Sequence, residues 1–316
     1  MPSYLHNHKD FVGLLNIVAE EKSILPGLVE KDYWIMHVLF GLQKQGFKFE
    51  LKGGTSLSKG FKIIDRFSED IDIHITPPVE LEINENPKNT NANNSAKRKD
   101  FYDGLAKQIV IDGIASVERD IEFDETTYYR SGGIRAHYKR HFDQVAGIKE
   151  GILLEAGFDN VTPNSKATIS SWAYDKAVES KVNIIDNRAI DVVCYHPGYT
   201  LVEKLQTIAT KFRVEQNDDK KAANFMRQYY DVARLLDHPE VQKFIGSKEY
   251  LEHKEKRFPK PDLEIKISEN EAFLLKNPET RSKFAKRYEE TKALYYNGQP
   301  PFDSLIDKIG QYIDKL

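Results

Sequence analysis

The most constraining stretch of this chain lies between Phe47 and Ile75. A short apolar run, Phe47–Leu51, enters Lys52-Gly53-Gly54-Thr55-Ser56 and is followed by an amphipathic segment and then by Asp70-Ile71-Asp72-Ile73-His74-Ile75. Strict alternation in the last run predicts a half-buried strand, with Ile71, Ile73 and Ile75 toward a core and Asp70 and Asp72 leaving the opposite face together. Two glycines directly after a strand let the backbone turn sharply and approach another group closely. A strand, a tight glycine turn, a helix near 55–64 and a second strand demand a sheet with at least one helix against it. An all-helical or all-β fold is thereby excluded.

The rest of the chain extends this frame. Residues 8–46 carry apolar residues at helical spacing, with Phe11, Leu14, Leu15 and Val18 on one face and a break at Pro26-Gly27. Residues 84–96 hold six asparagines between Asn84 and Asn94 without periodicity, which reads as a loop or disordered insertion. A helix is expected over about 97–113, then strands over 116–123, 133–138, 151–158 and 190–195. From Thr200 onward the pattern is helical, with Leu201, Leu205, Ile208 and Phe212 on one face. The expected fold class is α/β (α+β): a mixed sheet with flanking helices over 1–199, carrying a flexible insertion near 77–100, and a helical domain over 200–316.

Bulk properties narrow the function classes. The chain has 316 residues, 40% apolar and 30% charged, a composition suited to a packed core. No apolar run reaches the length of a membrane span, and the opening Met-Pro-Ser-Tyr-Leu-His lacks the basic and apolar segments of a signal peptide, so a cytoplasmic location is expected. The lone Cys194 excludes an intrachain disulfide and a cysteine-based zinc cluster. A net charge of −3 gives no global attraction to nucleic acid. The small basic clusters Lys97-Arg98-Lys99, Lys139-Arg140 and Lys254-Glu255-Lys256-Arg257 read first as solvated surface, and second as places that touch phosphates.

Chemistry concentrates in the glycine loop and the acidic strand. The hydroxyls of Thr55 and Ser56 and the N–H groups opening the following helix suit a phosphate. Two carboxylates on one strand face suit Mg²⁺, a hard ion that prefers oxygen ligands and triphosphates. Taken singly, a Gly-Gly is usually a turn and an Asp-x-Asp usually solvated; their ordered combination is what points to nucleotide chemistry. The Gly-x4-Gly-Lys-[Ser/Thr] spacing of a phosphate-binding P-loop is absent. His74 reads as a strand-end packing or hydrogen-bonding residue, and Cys194 as a small buried hydrophobe.

The combination Gly53-Gly54 followed by Asp70-x-Asp72 resembles the minimal signature of polymerase-β-like nucleotidyltransferases. More narrowly, the chain resembles the AbiEii-type nucleotidyltransferase toxins of type IV toxin–antitoxin and abortive-infection systems. Three further stretches carry that resemblance: Val29-Glu30-Lys31-Asp32-Tyr33-Trp34, Thr200-Leu201-Val202-Glu203-Lys204-Leu205, and the block from Arg227 through Tyr229, Tyr230 and Asp231 to Arg234. The resemblance implies a polymerase-β-like mixed sheet and an enzyme that moves a nucleoside monophosphate from a nucleoside triphosphate to an acceptor hydroxyl. That acceptor is a tRNA 3′ end or a protein, growth is inhibited in phage defence, and a separate antitoxin opposes the toxin.

Carried over by position, Asp70 and Asp72 hold Mg²⁺ and help activate the acceptor. Lys52, Gly53, Gly54, Thr55 and Ser56 surround the triphosphate, Lys204 meets phosphate or base, and Asp231 completes the site. Many polymerase-β-like enzymes have a third metal carboxylate. Glu155 is the first choice here, because a charge inside the apolar run Ile152–Gly157 is otherwise costly, and Asp191 is the second. The spacer from Gly54 to Asp70 is longer than the shortest form of the signature. The rival readings are a non-catalytic nucleotide-binding regulatory module and a phosphotransferase acting on protein.

Overall fold

The computed structural model describes every residue except Met1, Asn160, Asp219–Lys221, Ala223 and Asn224, together with the side chain of Asp218. The chain forms two compact units. The first comprises residues 1–61 and 67–195; the second comprises residues 62–66 and 196–316.

The first unit is built on a seven-stranded mixed sheet. Its strands are β1 (Phe49–Lys52), β2 (Asp70–Ile75), β3 (Ile114–Asp120), β4 (Ser131–Tyr138), β5 (Ile152–Gly157), β6 (Asn164–Ile169) and β7 (Ala189–Tyr195). They lie in the order β3-β4-β5-β2-β1-β7-β6. β2 is antiparallel to β1 and parallel to β5, and β1 is parallel to β7. This is the mixed sheet with flanking helices that the alternating runs predict.

Register divides the sheet into two chemically distinct faces. Ile71, Ile73 and Ile75 of β2 sit level with Leu154 and Ala156 of β5 and with Leu51 and Phe49 of β1. All seven are buried, and each fully buried Ile or Leu contributes about 1.5–3 kcal/mol relative to exposure. The opposite face of the same strands carries Glu50, Lys52, Asp70, Asp72, His74 and Glu155. The apolar alternation therefore fixes which side of β2 the carboxylates must occupy.

Helix α1 (Phe11–Lys22) packs on α2 (Pro26–Lys44), and α2 lies against β5 and β7. Pro26 opens α2 rather than merely interrupting a helix, since its fixed φ and missing N–H suit the first helical position. Unusually, α2 is buried on every side between Leu28 and Leu39, including Glu30, Lys31, Asp32 and His37. After β1 the chain makes a short helix, α3 (Gly53–Thr55), which continues as a wider π-type turn over Ser56–Gly60. The expected helix near 55–64 is thus shifted and shortened, because residues 62–66 belong to the second unit.

The asparagine-rich stretch is ordered differently from the expected loop or disordered insertion. Helix α4 (Ala92–Gln108) begins within it, capped by Asn91, whose side chain accepts from the N–H groups of Asn93 and Asn94. Arg98, expected as surface, is fully buried. Its Nη2 donates to the carbonyls of Asn84 at 2.7 Å and Asn86 at 2.8 Å, so the stretch before α4 folds over one guanidinium. Between these anchors Asn84, Asn86 and Asn89 each accept from the N–H two residues on, a turn-forming habit of asparagine. α4 in turn covers β3 and β4. β6 and the helix α5 (Trp172–Glu179) have no counterpart in the sequence reading.

The second unit is helical, as its sequence pattern predicts. It is led by α6 (Pro197–Asp218), against which α7 (Arg227–Leu235) packs. Further helices, including α8 (Pro239–Phe244) and α9 (Lys248–Arg257), also pack against α6. No helix among the described residues is long and apolar enough to cross a membrane.

Candidate active site

The polar face of β2 gathers the chemistry. Asp72 is level with Lys52 of β1 on one side and with Glu155 of β5 on the other. Asp70 lies two residues back on the same face. The structure thus brings Glu155 beside the acidic pair, while Asp191 is exposed, faces Lys166 at 3.6 Å, and sits toward the far end of β7.

The glycine loop closes over this face. Gly53 has φ +69°, and a Cβ there would stand 2.0 Å from Oδ2 of Asp72. Only glycine satisfies both the left-handed backbone and the approach of the carboxylate. Thr55 and Ser56 are fully buried. Thr55 Oγ1 donates to the carbonyl of Asp70 at 2.5 Å, and Ser56 Oγ donates to the carbonyl of Gly53 at 2.9 Å. The Thr55 hydroxyl ties the loop to the acidic strand, and the Ser56 hydroxyl closes the turn on itself. Lys52 Nζ is 2.8 Å from Oδ2 of Asp159.

One cation at the centre has no signal in the sequence. Lys149 lies in the irregular segment before β5, and its Nζ is 2.7 Å from Oδ2 of Asp70 and 3.4 Å from Oε1 of Glu155. It also lies 4.4 Å from the centre of the Phe123 ring. The main chain of Lys149 is held on both sides: its N–H donates to Glu69 Oε2 at 2.8 Å, and its carbonyl accepts from Lys31 Nζ at 2.5 Å. Lys31 is also 3.6 Å from Glu69.

Lys31 belongs to the buried run Glu30-Lys31-Asp32 of α2, and each member holds a different segment. Glu30 accepts from the main-chain N–H of His141 at 3.1 Å and pairs with its ring at 2.7 Å. Asp32 pairs with Lys59 of the turn after α3 and accepts from the N–H of Trp172 at 2.9 Å. Lys59 rests 4.4 Å from the centre of the Trp172 ring. A helix with three charged residues in its buried part therefore supports the loops around the carboxylates.

The electrostatics follow from this crowding. Burial, then the neighbouring charges of Asp72 and Asp70, push Glu155 up to about 7 despite Lys149. Burial and Glu69 raise Asp70 above the usual carboxylate range against the pull of Lys149. Burial opposes the charge on Lys149, but Asp70 and Glu155 outweigh it and raise its ammonium. Burial lowers Lys31 to about 8 in spite of Glu69 and Asp70. Asp70 Oδ1 is buried without a hydrogen-bond partner among the described residues. Among the same residues, no three His, Cys, Asp or Glu side chains already enclose a metal-sized point.

The donor set nevertheless fits a divalent ion. Three carboxylates share one face, one buried carboxylate oxygen is unpartnered, and negative charge is in excess there even with a lysine present. A hard cation with a preference for oxygen would relieve all three conditions.

Lys204 and Asp231, the other residues implied as functional, lie in the second unit, where they form a buried ion triad with Arg66. Asp231 is fully buried; Arg66 Nε and Nη2 donate to its two oxygens at 2.7 and 2.6 Å, and Lys204 Nζ is 2.6 Å from Oδ2. Burial alone would raise Asp231, but Arg66 and then Lys204 hold it down at about 2. Lys204 also donates to Gln228 at 3.0 Å. The basic clusters are largely occupied within the chain. Lys97 and Lys99 face Glu82 and Asp103, Arg140 faces Glu150, Lys254 donates to the carbonyl of Leu316, and Arg257 is 3.5 Å from Glu203.

A mixed sheet with a glycine loop pressed onto paired aspartates defines a nucleotidyltransferase type of scaffold. The family model described as "Nucleotidyl transferase AbiEii toxin, Type IV TA system" matches residues 37–308, and the chain belongs to that family. Membership makes it a toxin-family nucleotidyltransferase and implies an antitoxin. No curated protein matches the chain. Among solved structures it is similar to an antigenic nucleotidyltransferase-like protein from Paracoccidioides brasiliensis, at 12% identity and a TM-score of 0.36 over 74% of this chain and 94% of that one.

Proposed function

We propose that the chain transfers a nucleoside monophosphate from a nucleoside triphosphate to an acceptor hydroxyl, with Mg²⁺ held by Asp70, Asp72 and Glu155. The observation that carries this reading is the approach of Gly53 to Asp72, which joins a left-handed glycine turn to a three-carboxylate face. Mg²⁺, when bound, neutralises triphosphate charge and orients the phosphates.

The residues of the chain do the remaining work. Gly53 and Gly54 expose main chain to the triphosphate, Thr55 holds that main chain against β2, Ser56 braces the turn from within, and Lys52 adds positive charge. The acceptor oxygen bonds to the α-phosphorus as the bond to the bridging oxygen breaks, and that electron pair leaves with pyrophosphate. The acceptor proton passes to Asp70, whose Oδ1 lacks a hydrogen-bond partner among the described residues. Lys204 acts as a phosphate or base contact, with Asp231 as its buried counter-charge. The acceptor is a tRNA 3′ end or a protein side chain in the cytoplasm, and its modification inhibits growth, as in phage defence.

The test is transfer of label from each α-³²P nucleoside triphosphate, with Mg²⁺, to total RNA and total protein, comparing wild type with Asp70→Ala. Label in one fraction with wild type only supports the reading and names the acceptor class. Label transferred from the γ-position instead replaces it with phosphotransfer, and no label from either position leaves a binding module.

A further inference from the structure

We propose that Lys149 is a built-in counter-ion of the carboxylate face, seated where a divalent cation would bind and displaced when that cation arrives. The inference rests on the metal-dependent reading of Asp70, Asp72 and Glu155 and deepens it, since it makes metal occupancy a competition inside the protein.

The geometry separates a fixed backbone from a movable charge. The N–H and carbonyl of Lys149 are held by Glu69 and Lys31, both almost fully buried, so residue 149 is fixed in place. The flanking Gly147 and Gly151 have φ +76° and +61°, conformations that let the segment double back beside β5 and β4. A Cβ on Gly151 would stand 2.7 Å from the carbonyl of Ala136, so this path is fixed by close backbone packing. The side chain then runs past Phe123 to the carboxylates, with a fifth of it exposed.

Its ammonium contacts Asp70 Oδ2 and approaches Glu155 Oε1. A divalent ion held by these carboxylates, the unpartnered Oδ1 of Asp70 included, would stand close to the ammonium and repel its charge. Ammonium and metal ion would therefore compete for this face. Four flexible carbons give the displaced charge room to move while its anchor stays in place. In its displaced position the lysine remains near the entering triphosphate, whose negative charge restores its pairing.

The role differs from ordinary surface pairing because the opposing carboxylates are half-buried and outnumber the ammonium. Lys149 is the cation whose ammonium reaches both Asp70 and Glu155, while Lys52, level with Asp72, also pairs with Asp159. The consequence is weak metal binding by the nucleotide-free protein, with metal and nucleotide favouring one another.

Mn²⁺ is the probe, titrated into the nucleotide-free full chain and followed by the spin-resonance signal of the free ion. Lys149→Met should bind Mn²⁺ about tenfold more tightly than wild type, because a competing charge is gone. Lys149→Arg should remain weak, and adding Asp70→Asn to Lys149→Met should remove the gain. Equal or weaker binding by Lys149→Met overturns the proposal, as does an equal gain in Lys52→Met, which would mark a general charge effect.

Wild type supplies a readout independent of any variant's folding. Reductive methylation with formaldehyde, read by mass spectrometry, should modify Lys149 slowly without Mn²⁺ and faster with it. An unchanged rate overturns the displacement. Transfer of α-label with no Mn²⁺ effect at Lys149 defeats the counter-ion role alone. A Mn²⁺ effect without transfer defeats the enzymatic reading alone.

Discussion

A Cβ placed on Gly53 would stand 2.0 Å from Oδ2 of Asp72, less than any two such atoms tolerate. The glycine loop and the acidic strand are therefore one construction. Gly53→Ala should reduce label transfer at least about 100-fold, since a misplacement of about 1 Å at a reacting centre is already worth that much. Gly46, with φ +83° and open space where its Cβ would stand, is the control. Gly46→Ala should cost about 1–2 kcal/mol from its left-handed backbone alone and leave transfer near wild type. Equal activity losses in the two variants would show that backbone strain, not the approach to Asp72, controls activity.

Glu155 gives the site a pH signature. Its carboxyl is pushed up to about 7 by burial and then by Asp72 and Asp70, so the folded protein holds a proton that the unfolded chain releases near its ordinary value of 4.5. Where the folded state binds more protons, stability falls as pH rises. This contribution therefore declines between about pH 4.5 and 7 and stays low above it. Glu155→Gln removes the titration and should flatten that decline, leaving the variant relatively more stable at pH 8. Thermal melts of both proteins from pH 5 to 8 check this, and parallel slopes would contradict it.

How far the site was legible depends on whether a residue's role lies in local pattern or in distant pairing. Alternation in Asp70–Ile75 puts the isoleucines in the core, and hence the aspartates on one face; the structure has that arrangement. Glu155 stood out as a charge in an apolar run, and register brings it level with Asp72. Lys149 had no such mark. It sits in an irregular segment, and its partners are 79 residues away in Asp70 and 118 away in Lys31. Arg98 misled for a related reason: flanked by lysines it looks solvated, yet the carbonyls of Asn84 and Asn86 receive its Nη2 in the interior. β6 is an exposed edge strand without alternation, so periodicity had nothing to report there.

The triad of Arg66, Asp231 and Lys204 separates a structural charge from a chemical one. Asp231→Asn would leave Arg66 buried opposite a neutral amide, and breaking a buried pair by removing one partner costs about 3–5 kcal/mol. Lys204→Met leaves Asp231 still doubly bonded to Arg66 and should cost much less. If Lys204 meets the nucleotide, Lys204→Met should nonetheless lose transfer while melting near the wild-type temperature. Full transfer by Lys204→Met would confine that lysine to a structural role. Because Asp231 is held down at about 2, its contribution persists above pH 4 and fades only as pH falls toward 2. Acid melts should show that loss in wild type and not in Asp231→Asn.

Arg98 makes a prediction far from the chemistry. Its guanidinium is the shared donor for the carbonyls of Asn84 and Asn86, and it stacks 5.4 Å from the centre of the Phe158 ring. Arg98→Met keeps much of the apolar stem but takes a donor from both carbonyls; that of Asn84 keeps Asn94 Nδ2 at 2.9 Å, whereas that of Asn86 loses the guanidinium at a cost of about 1–3 kcal/mol if it stays buried. The segment escapes that cost by opening to water, so the expected result is local release rather than global unfolding. Limited proteolysis should then cut within residues 84–91 at least about tenfold faster than in wild type, a factor that corresponds to about 1.4 kcal/mol of local opening. α4 should persist, because its cap at Asn91 and its packing on β3 and β4 do not require Arg98. Cleavage at the wild-type rate would mean that the asparagine turns hold the segment without the arginine.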